Sequence, residues 1–335
     1  MLRICSRTLV PLFLMILSAL SFAAKPEKPD VTIAVGGKSS LYYLPMALAD
    51  RLGYFKAEGL NVEIADFAGG SKALQAMVGG SADVVAGGFD HVIVMQARGQ
   101  KLQAFVLMLS VPAISLGVSK EKATTYKSPK NLKGLKIGVT APGSTTHMFL
   151  NRVLALGGLG PDDVSIIGVG GGPTAVAAVR GGQVDALSNV EPAITMLERT
   201  GHLKVIAESV TEQGAKAVFG EKLPTGCLYT KQEFIQKNPN TVQALANGIV
   251  RALKWLQQAS PEDVAKTVPK EYLLGEPDVY MAALKKSRPT YSLDGVFPTA
   301  GVQAFYEVLR SFDPMVKDAS GFNVQQTYDN SFVKK

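Results

Sequence analysis

The sequence predicts an α/β protein made of two similar lobes. Three observations lead there. Short apolar strands alternate with helical patterns along the chain. The same order of elements runs twice. One helix–turn–strand unit also repeats at a fixed offset of 102 residues: Ala73-Leu-Gln-Ala-Met-Val-Gly-Gly-Ser-Ala-Asp-Val-Val aligns without a gap on Ala175-Val-Ala-Ala-Val-Arg-Gly-Gly-Gln-Val-Asp-Ala-Leu. Gly79-Gly80 meets Gly181-Gly182, Asp83 meets Asp185, and the preceding Gly69-Gly70 meets Gly171-Gly172. A helix ended by glycine and followed by a tight turn is what helix C-cap chemistry produces.

The elements follow in order. Residues 31–35 read as a strand, 45–52 as part of a helix, 60–67 as a strand, 71–78 as a helix and 83–86 as a strand. The second round places strands at 135–139, 164–169 and 185–187, with helices at 145–156 and 174–179. The long apolar stretch 102–118 is expected to carry the chain from the first lobe to the second. Residues 227–231 read as a strand that forms the return. From 241 onward, Val242, Leu245, Ile249, Leu253 and Leu256 recur at helical spacing. These C-terminal helices are expected to pack on the first lobe. The resulting division is 1–23 as an export segment, 29–111 plus 237–335 as lobe one, and 112–236 as lobe two.

The N-terminus reads as a secretory signal. Arg3 and Arg7 precede an apolar run from Leu9 to Leu20, and Ser21-Phe22-Ala23 offers small residues for a cut before Ala24. The run is too short for a spanning helix. No lipid-attachment cysteine stands just after it, so no lipid anchor is expected, and the protein is placed free in a periplasm. Cleavage would remove Cys5 and leave Cys227 alone, which excludes an intramolecular disulfide. One cysteine and three scattered histidines (His91, His147, His202) build no metal site, and no cofactor is expected. The net charge of +7 is spread over scattered lysines with few aromatics, which argues against nucleic acid. A monomer is expected.

Ligands of parallel α/β sheets bind beyond the carboxyl ends of the strands, where helices begin. Here those junctions are rich in glycine and hydroxyls. The candidates are Gly37, Lys38, Ser39, Tyr42 and Tyr43 after the first strand, Gly70 and Ser71 after the second, and Phe89 and Asp90 after the third. The second lobe offers Ser144, Thr145, Thr146 and His147, then Gly172, then Asn189 and Glu191. Free N–H groups and the helix dipole favour an anionic group at such helix starts. Ser and Thr in these places also serve as N-caps, so the argument rests on several junctions converging on one cleft. Gly37-Lys38-Ser39 is not a nucleotide-binding phosphate loop, because Thr32 stands where that motif needs glycine. Ser144 and His147 share a helix face but have no nearby acid and no nucleophile elbow, so hydrolysis is not expected.

Taken together, several segments resemble the periplasmic solute-binding proteins of ABC importers in the nitrate, sulfonate and taurine group, which includes binders of thiamine pyrimidine precursors. The resemblance rests on Leu44-Pro45, Gly53-Tyr-Phe-Lys-Ala-Glu-Gly-Leu60, Gly79-Gly-Ser-Ala-Asp83, Leu132-Lys-Gly-Leu-Lys-Ile-Gly-Val139, Gly143-Ser-Thr-Thr-His147, Gly182-Gln-Val-Asp-Ala186 and Glu191-Pro192. It implies a type II binding-protein fold that closes on its ligand like a hinged clamp and docks on an inner-membrane permease with its ATPase subunits. It also implies that residues 144–147 match the helix start where sulfonate binders hold the anionic head. Glu191-Pro192 stands where many relatives carry Asp-Pro, and Gly88-Phe89-Asp90-His91 where many carry Gly-Asp-Xaa-Pro. The leading expectation is capture of a small anionic organic solute. A planar pyrimidine, held by Asp90 and Glu191 with Tyr42 and Tyr43 stacking, is the alternative. An enzyme on this fold related to the pyrimidine-precursor synthases, and a sensor subunit, are the remaining classes.

Overall fold

The computed structural model describes residues 25–319, 321 and 323–334. The proposed export segment and its cut before Ala24 lie outside the described residues. Ten strands form two five-stranded sheets: β1 (Asp30–Val35), β2 (Asn61–Asp66), β3 (Val84–Gly88), β4 (Leu102–Leu107), β5 (Ile114–Ser119), β6 (Lys136–Val139), β7 (Ser165–Gly168), β8 (Ala186–Val190), β9 (Leu203–Glu208) and β10 (Gly226–Lys231). The first sheet runs β2-β1-β3-β10-β4 and the second β7-β6-β8-β5-β9. These are the same order, with β10 and β5 in matching places.

Each sheet is mixed. β1 pairs parallel with β2 and β3, and β6 with β7 and β8. β10 and β5 run antiparallel to both their neighbours. Each of these two strands follows directly on the other lobe, so each lobe receives one strand from a chain that has just left its partner. β3, β5 and β8 are wholly buried and β1 is buried from Ile33 to Val35, as expected for strands covered by helices on both faces.

The repeated unit of the sequence is a repeated structure. In the first lobe Gly79, Gly80 and Ser81 N–H groups donate to Gln75, Met77 and Ala76 carbonyls at 2.9, 3.1 and 2.8 Å. In the second, Gly181, Gly182 and Gln183 donate to Ala177, Val179 and Ala178 at 2.8, 3.0 and 2.9 Å. Gly80 (φ +85°) and Gly182 (φ +66°) take the left-handed conformation the turn requires. The matched aspartates then accept from the neighbouring strand, Asp83 Oδ2 from Thr32 N–H at 3.0 Å and Asp185 Oδ2 from Lys136 N–H at 2.9 Å. Lys28 and Lys122 pair with them at 2.7 and 3.4 Å.

The predicted C-terminal helix is Pro239–Gln258, with proline in its first turn and Val242, Leu245, Ile249, Leu253 and Leu256 buried. It packs on the helices Leu44–Arg51 and Tyr54–Ala57 of the first lobe. Burying each such side chain contributes on the order of 1.5–3 kcal/mol. Two expectations need correction. β10 lies in the first sheet, so the return precedes residue 226, not 237. The strand read at 227–231 as the return is that crossing, and the boundary belongs before it. And the C-terminal segment does not keep to the first lobe: Leu274 and Val279 pack into the second lobe's outer core with Ala193, Ile194 and Leu197.

Candidate functional site

The carboxyl ends of β1, β3, β6 and β8 face one another across the line where the lobes meet. A cavity of about 20 Å³ lies there, lined by Gly36, Tyr42, Tyr43 and Gly70 of the first lobe and by Ile114, Thr140, Ser144, Thr145, Thr146 and Val190 of the second. This is room for about one water molecule, so a larger solute enters only if the lobes separate.

The second-lobe wall is built by the helix Thr145–Leu156, which follows β6 through Thr140-Ala-Pro-Gly-Ser. Thr146 Oγ1 lies 2.8 Å from Thr140 Oγ1 and accepts the Thr140 N–H at 3.1 Å. Ser188 Oγ donates to the Thr146 carbonyl at 2.7 Å. Gly143 N–H donates to His147 Nδ1 at 2.9 Å, which puts the ring proton on Nε2, a shielded atom without a partner. Burial lowers the His147 pKa, so the ring is neutral near pH 7. At the helix start the His147 and Met148 N–H groups donate to the Ser144 carbonyl at 2.8 and 3.1 Å, while those of Thr145 and Thr146 precede the first intrahelical bond.

The first-lobe wall is the turn Leu41–Tyr43, where the Tyr42 and Tyr43 rings meet edge to face at 5.1 Å. Tyr42 Oη and Ser40 Oγ are buried without partners. His91 stands behind Gly70. Its Nδ1 bonds Tyr229 Oη at 2.9 Å, and its buried Nε2 has no hydrogen bond.

Hydroxyls also join the lobes. Ser144 Oγ accepts the Ser71 N–H at 3.0 Å and lies 3.2 Å from Ser71 Oγ, which donates to the Pro142 carbonyl at 2.9 Å. Thr145 Oγ1 donates to Asp90 Oδ1 at 2.8 Å. Burial raises the Asp90 pKa, opposed by His91 and by the Thr145 bond. Burial, and then Asp90, raises Tyr42.

Other predicted residues stand back from the cavity. Gly37 and Lys38 N–H groups donate to Asp66 Oδ1 at 2.9 Å each, and Ser39 faces Gly172 across the cleft rim. Asn189 is fully buried, donating to the Gly170 carbonyl and accepting from Val190 N–H. Phe89, expected at the ligand, turns into the first lobe's core against Phe297 and Phe305. Glu191, also expected there, directs its carboxylate elsewhere: Oε2 accepts the Thr195 N–H at 2.9 Å, and Lys286 Nζ lies 3.4 Å from Oε1 without the alignment of a hydrogen bond. Its main-chain carbonyl accepts the Leu41 N–H at 2.9 Å, across the cleft.

Gly36, Thr140 and Val190 of the lining lie in the strand-end junctions the sequence marks but were not singled out there, nor was His91 behind Gly70, and Ile114 lies outside those junctions. Thr140 and Val190 end strands at the cleft, a signal that was there to use. Ile114 begins an antiparallel strand, and nothing in the sequence marks that direction. Among the described residues no cluster of three or more His, Cys, Asp or Glu could hold a metal, and no helix is long and apolar enough to cross a membrane.

Two mixed α/β lobes, each lending the other a strand and meeting at a polar cleft, make the fold of the periplasmic binding proteins. The chain belongs to the NMT1-like family, whose profile matches residues 24–268. It is similar to a protein of Bordetella bronchiseptica RB50 of known structure, with 51% identity, a TM-score of 0.89, and coverage of 92% of this chain and 96% of that one. It is also similar to the taurine-binding periplasmic protein of Escherichia coli K12, 27% identical over 262 residues, which cover 75% of this chain and 76% of the relative. A further relative is 4-amino-5-hydroxymethyl-2-methylpyrimidine phosphate synthase THI13 of Saccharomyces cerevisiae, 24% identical over 234 residues, covering 68% and 66%.

Proposed function

We propose that the protein is the periplasmic solute-binding component of an ABC importer. It captures a small anionic organic solute, of the sulfonate, taurine, nitrate or carboxylate kind, and hands it to a membrane permease without chemical change. The observation that carries this reading is the second-lobe wall. Hydroxyls of Thr140, Ser144, Thr145 and Thr146 crowd the start of a 12-residue helix at an inter-lobe cavity. Neutral donors and a helix N-terminus hold an anion without a lysine or arginine. The taurine-binding relative supports the same class.

A planar nitrogen heterocycle is the second reading. It is favoured by the Tyr42–Tyr43 wall and by the buried Asp90 carboxylate beside it. The pyrimidine synthase among the relatives keeps it, and an enzymatic variant of it, in view.

Thermal-shift screening separates these. A solute that binds only the folded state raises the melting temperature by mass action, by an increment that grows with concentration over Kd. The expected outcome is a shift with at least one sulfonate, carboxylate or nitrate. Shifts with aminopyrimidines alone would overturn the anionic reading, and a product formed during incubation would overturn the non-enzymatic one.

A further inference from the structure

We propose that Lys286 is a positioning residue for the cleft: from the C-terminal segment it holds the Glu191 loop of the second lobe against the tyrosine-bearing turn of the first, and so keeps the lobes closed. The inference deepens the reading of the cleft as a solute site and rests on it for its purpose, not for its geometry.

Lys286 belongs to the helix Pro277–Ser287, whose two ends are tied to different lobes. Near its start Val279 packs in the second lobe's core, and Arg199 Nη1 reaches the Asp278 carbonyl at 3.5 Å. Just past its end the chain is fastened to the first lobe and the connection between lobes. Ser110 N–H donates to the Thr290 carbonyl at 2.8 Å, Ser292 N–H to Met108 at 2.8 Å, and Tyr291 Oη to Leu41 at 2.9 Å.

Lys286 Nζ sits among three carboxylates of the second lobe: Glu208 at 3.2 Å, Glu191 at 3.4 Å and Glu198 at 3.7 Å. Of these Glu191 is buried, with 2% of its surface exposed. Its main chain receives the Leu41 N–H, and Leu41 opens the turn that presents Tyr42 and Tyr43. The path Lys286–Glu191–Leu41–Tyr291 therefore returns to the segment it started from and encircles the cleft's first-lobe wall. Without Lys286, Glu191 would be a buried carboxylate without a counter-charge, which is strongly unfavourable. Removing Lys286 also removes the tie between the C-terminal segment and the Glu191 loop, so the closed form loses support whether or not residue 191 keeps its charge.

The test compares Lys286→Met, Lys286→Arg and the double variant Glu191→Gln/Lys286→Met with the parent. Small-angle scattering without ligand, at low and high salt, reads closure, and melting temperature reads the fold. The parent is expected to be compact and to expand as salt screens the cluster. Lys286→Met is expected to be expanded at both salts, and Lys286→Arg to behave as the parent. For a solute that shifts the parent's melting temperature, Lys286→Met should bind about tenfold more weakly. A Lys286→Met protein as compact as the parent at both salts, whatever its melting temperature, overturns the proposal. If that variant does not fold, the double variant decides, because it leaves no buried charge behind. Expanded scattering from it supports the proposal, and parental compactness overturns it. If no solute shifts the parent, the solute reading falls, while the scattering pattern still decides the role of Lys286.

Discussion

The two lobes are built alike at their outer ends and differently where they meet. At the outer ends, the turns at Gly79-Gly80 and Gly181-Gly182 repeat bond for bond, and Asp83 and Asp185 fasten the same neighbouring strand. At the cleft, the first lobe brings tyrosines, His91 and Asp90, while the second brings hydroxyls on a helix start. What repeats is what each sheet needs to fold. What differs is what a ligand would touch. Sequence repetition in this chain therefore marks the scaffold, and the proposed site lies in the departures from it.

Gly69 and Gly171 give the sharpest way to break the comparison, because they are matched in sequence and not in surroundings. A Cβ on Gly69 would lie 2.8 Å from Ala141 Cβ and 2.9 Å from Ala141 N, both in the second lobe. A Cβ on Gly171 would meet only Gly37 Cα, at 3.9 Å. Both residues have backbone angles open to alanine. Gly69→Ala should block closure and weaken solute binding by on the order of 100-fold in calorimetry, because the competent state is depopulated. Gly171→Ala should bind as the parent does.

A smaller effect is expected at the Thr145–Asp90 bond, which joins unlike partners. Thr145→Val leaves the buried carboxylate without its donor across the cleft. Hydrogen bonds to charged groups are worth about 1.5–3 kcal/mol, so affinity should fall roughly tenfold or more by the same measurement. The outer aspartates provide the opposite control. Asp83→Ala and Asp185→Ala should each lower unfolding free energy by about 1 kcal/mol in urea, by similar amounts, with solute affinity unchanged. Unequal losses would show that the repeat is one of sequence only.

The cleft carboxyls also predict a pH response. Burial raises Asp90 and Glu191 above their ordinary values. The folded protein therefore holds more protons than the unfolded chain between the ordinary and the raised values. These two groups make stability fall as pH rises through that window, the reverse of a salt-bridged surface carboxylate. Asp90→Asn keeps an acceptor for Thr145 and removes the buried charge. It should raise the melting temperature at neutral pH, by about 1 kcal/mol of stability, and flatten the pH dependence.

Much of the fold was legible in the sequence because its signals are local. The helix expected at 145–156 is the helix observed, and the offset of 102 located both turns. The crossings at 102–118 and 227–231 were legible, but the antiparallel pairing of β5 and β10 was not, since pairing between segments distant in the chain leaves no local trace. The same holds for the site. Tyr42, Tyr43, Gly70 and residues 144–146 were readable as residues at strand ends, and they line the cavity. Phe89 and Glu191 shared that position in the chain but turn to the core and to Lys286, an orientation that only packing decides.

The cleft is proposed as the place where a solute is held between closing lobes. Calorimetric titration of the parent and of Gly69→Ala with the solute giving the largest thermal shift tests this most directly. One-to-one binding to the parent, nearly lost in Gly69→Ala while both proteins melt alike, is the predicted result. Equal affinity in the two would place the binding outside the cleft and contradict the account.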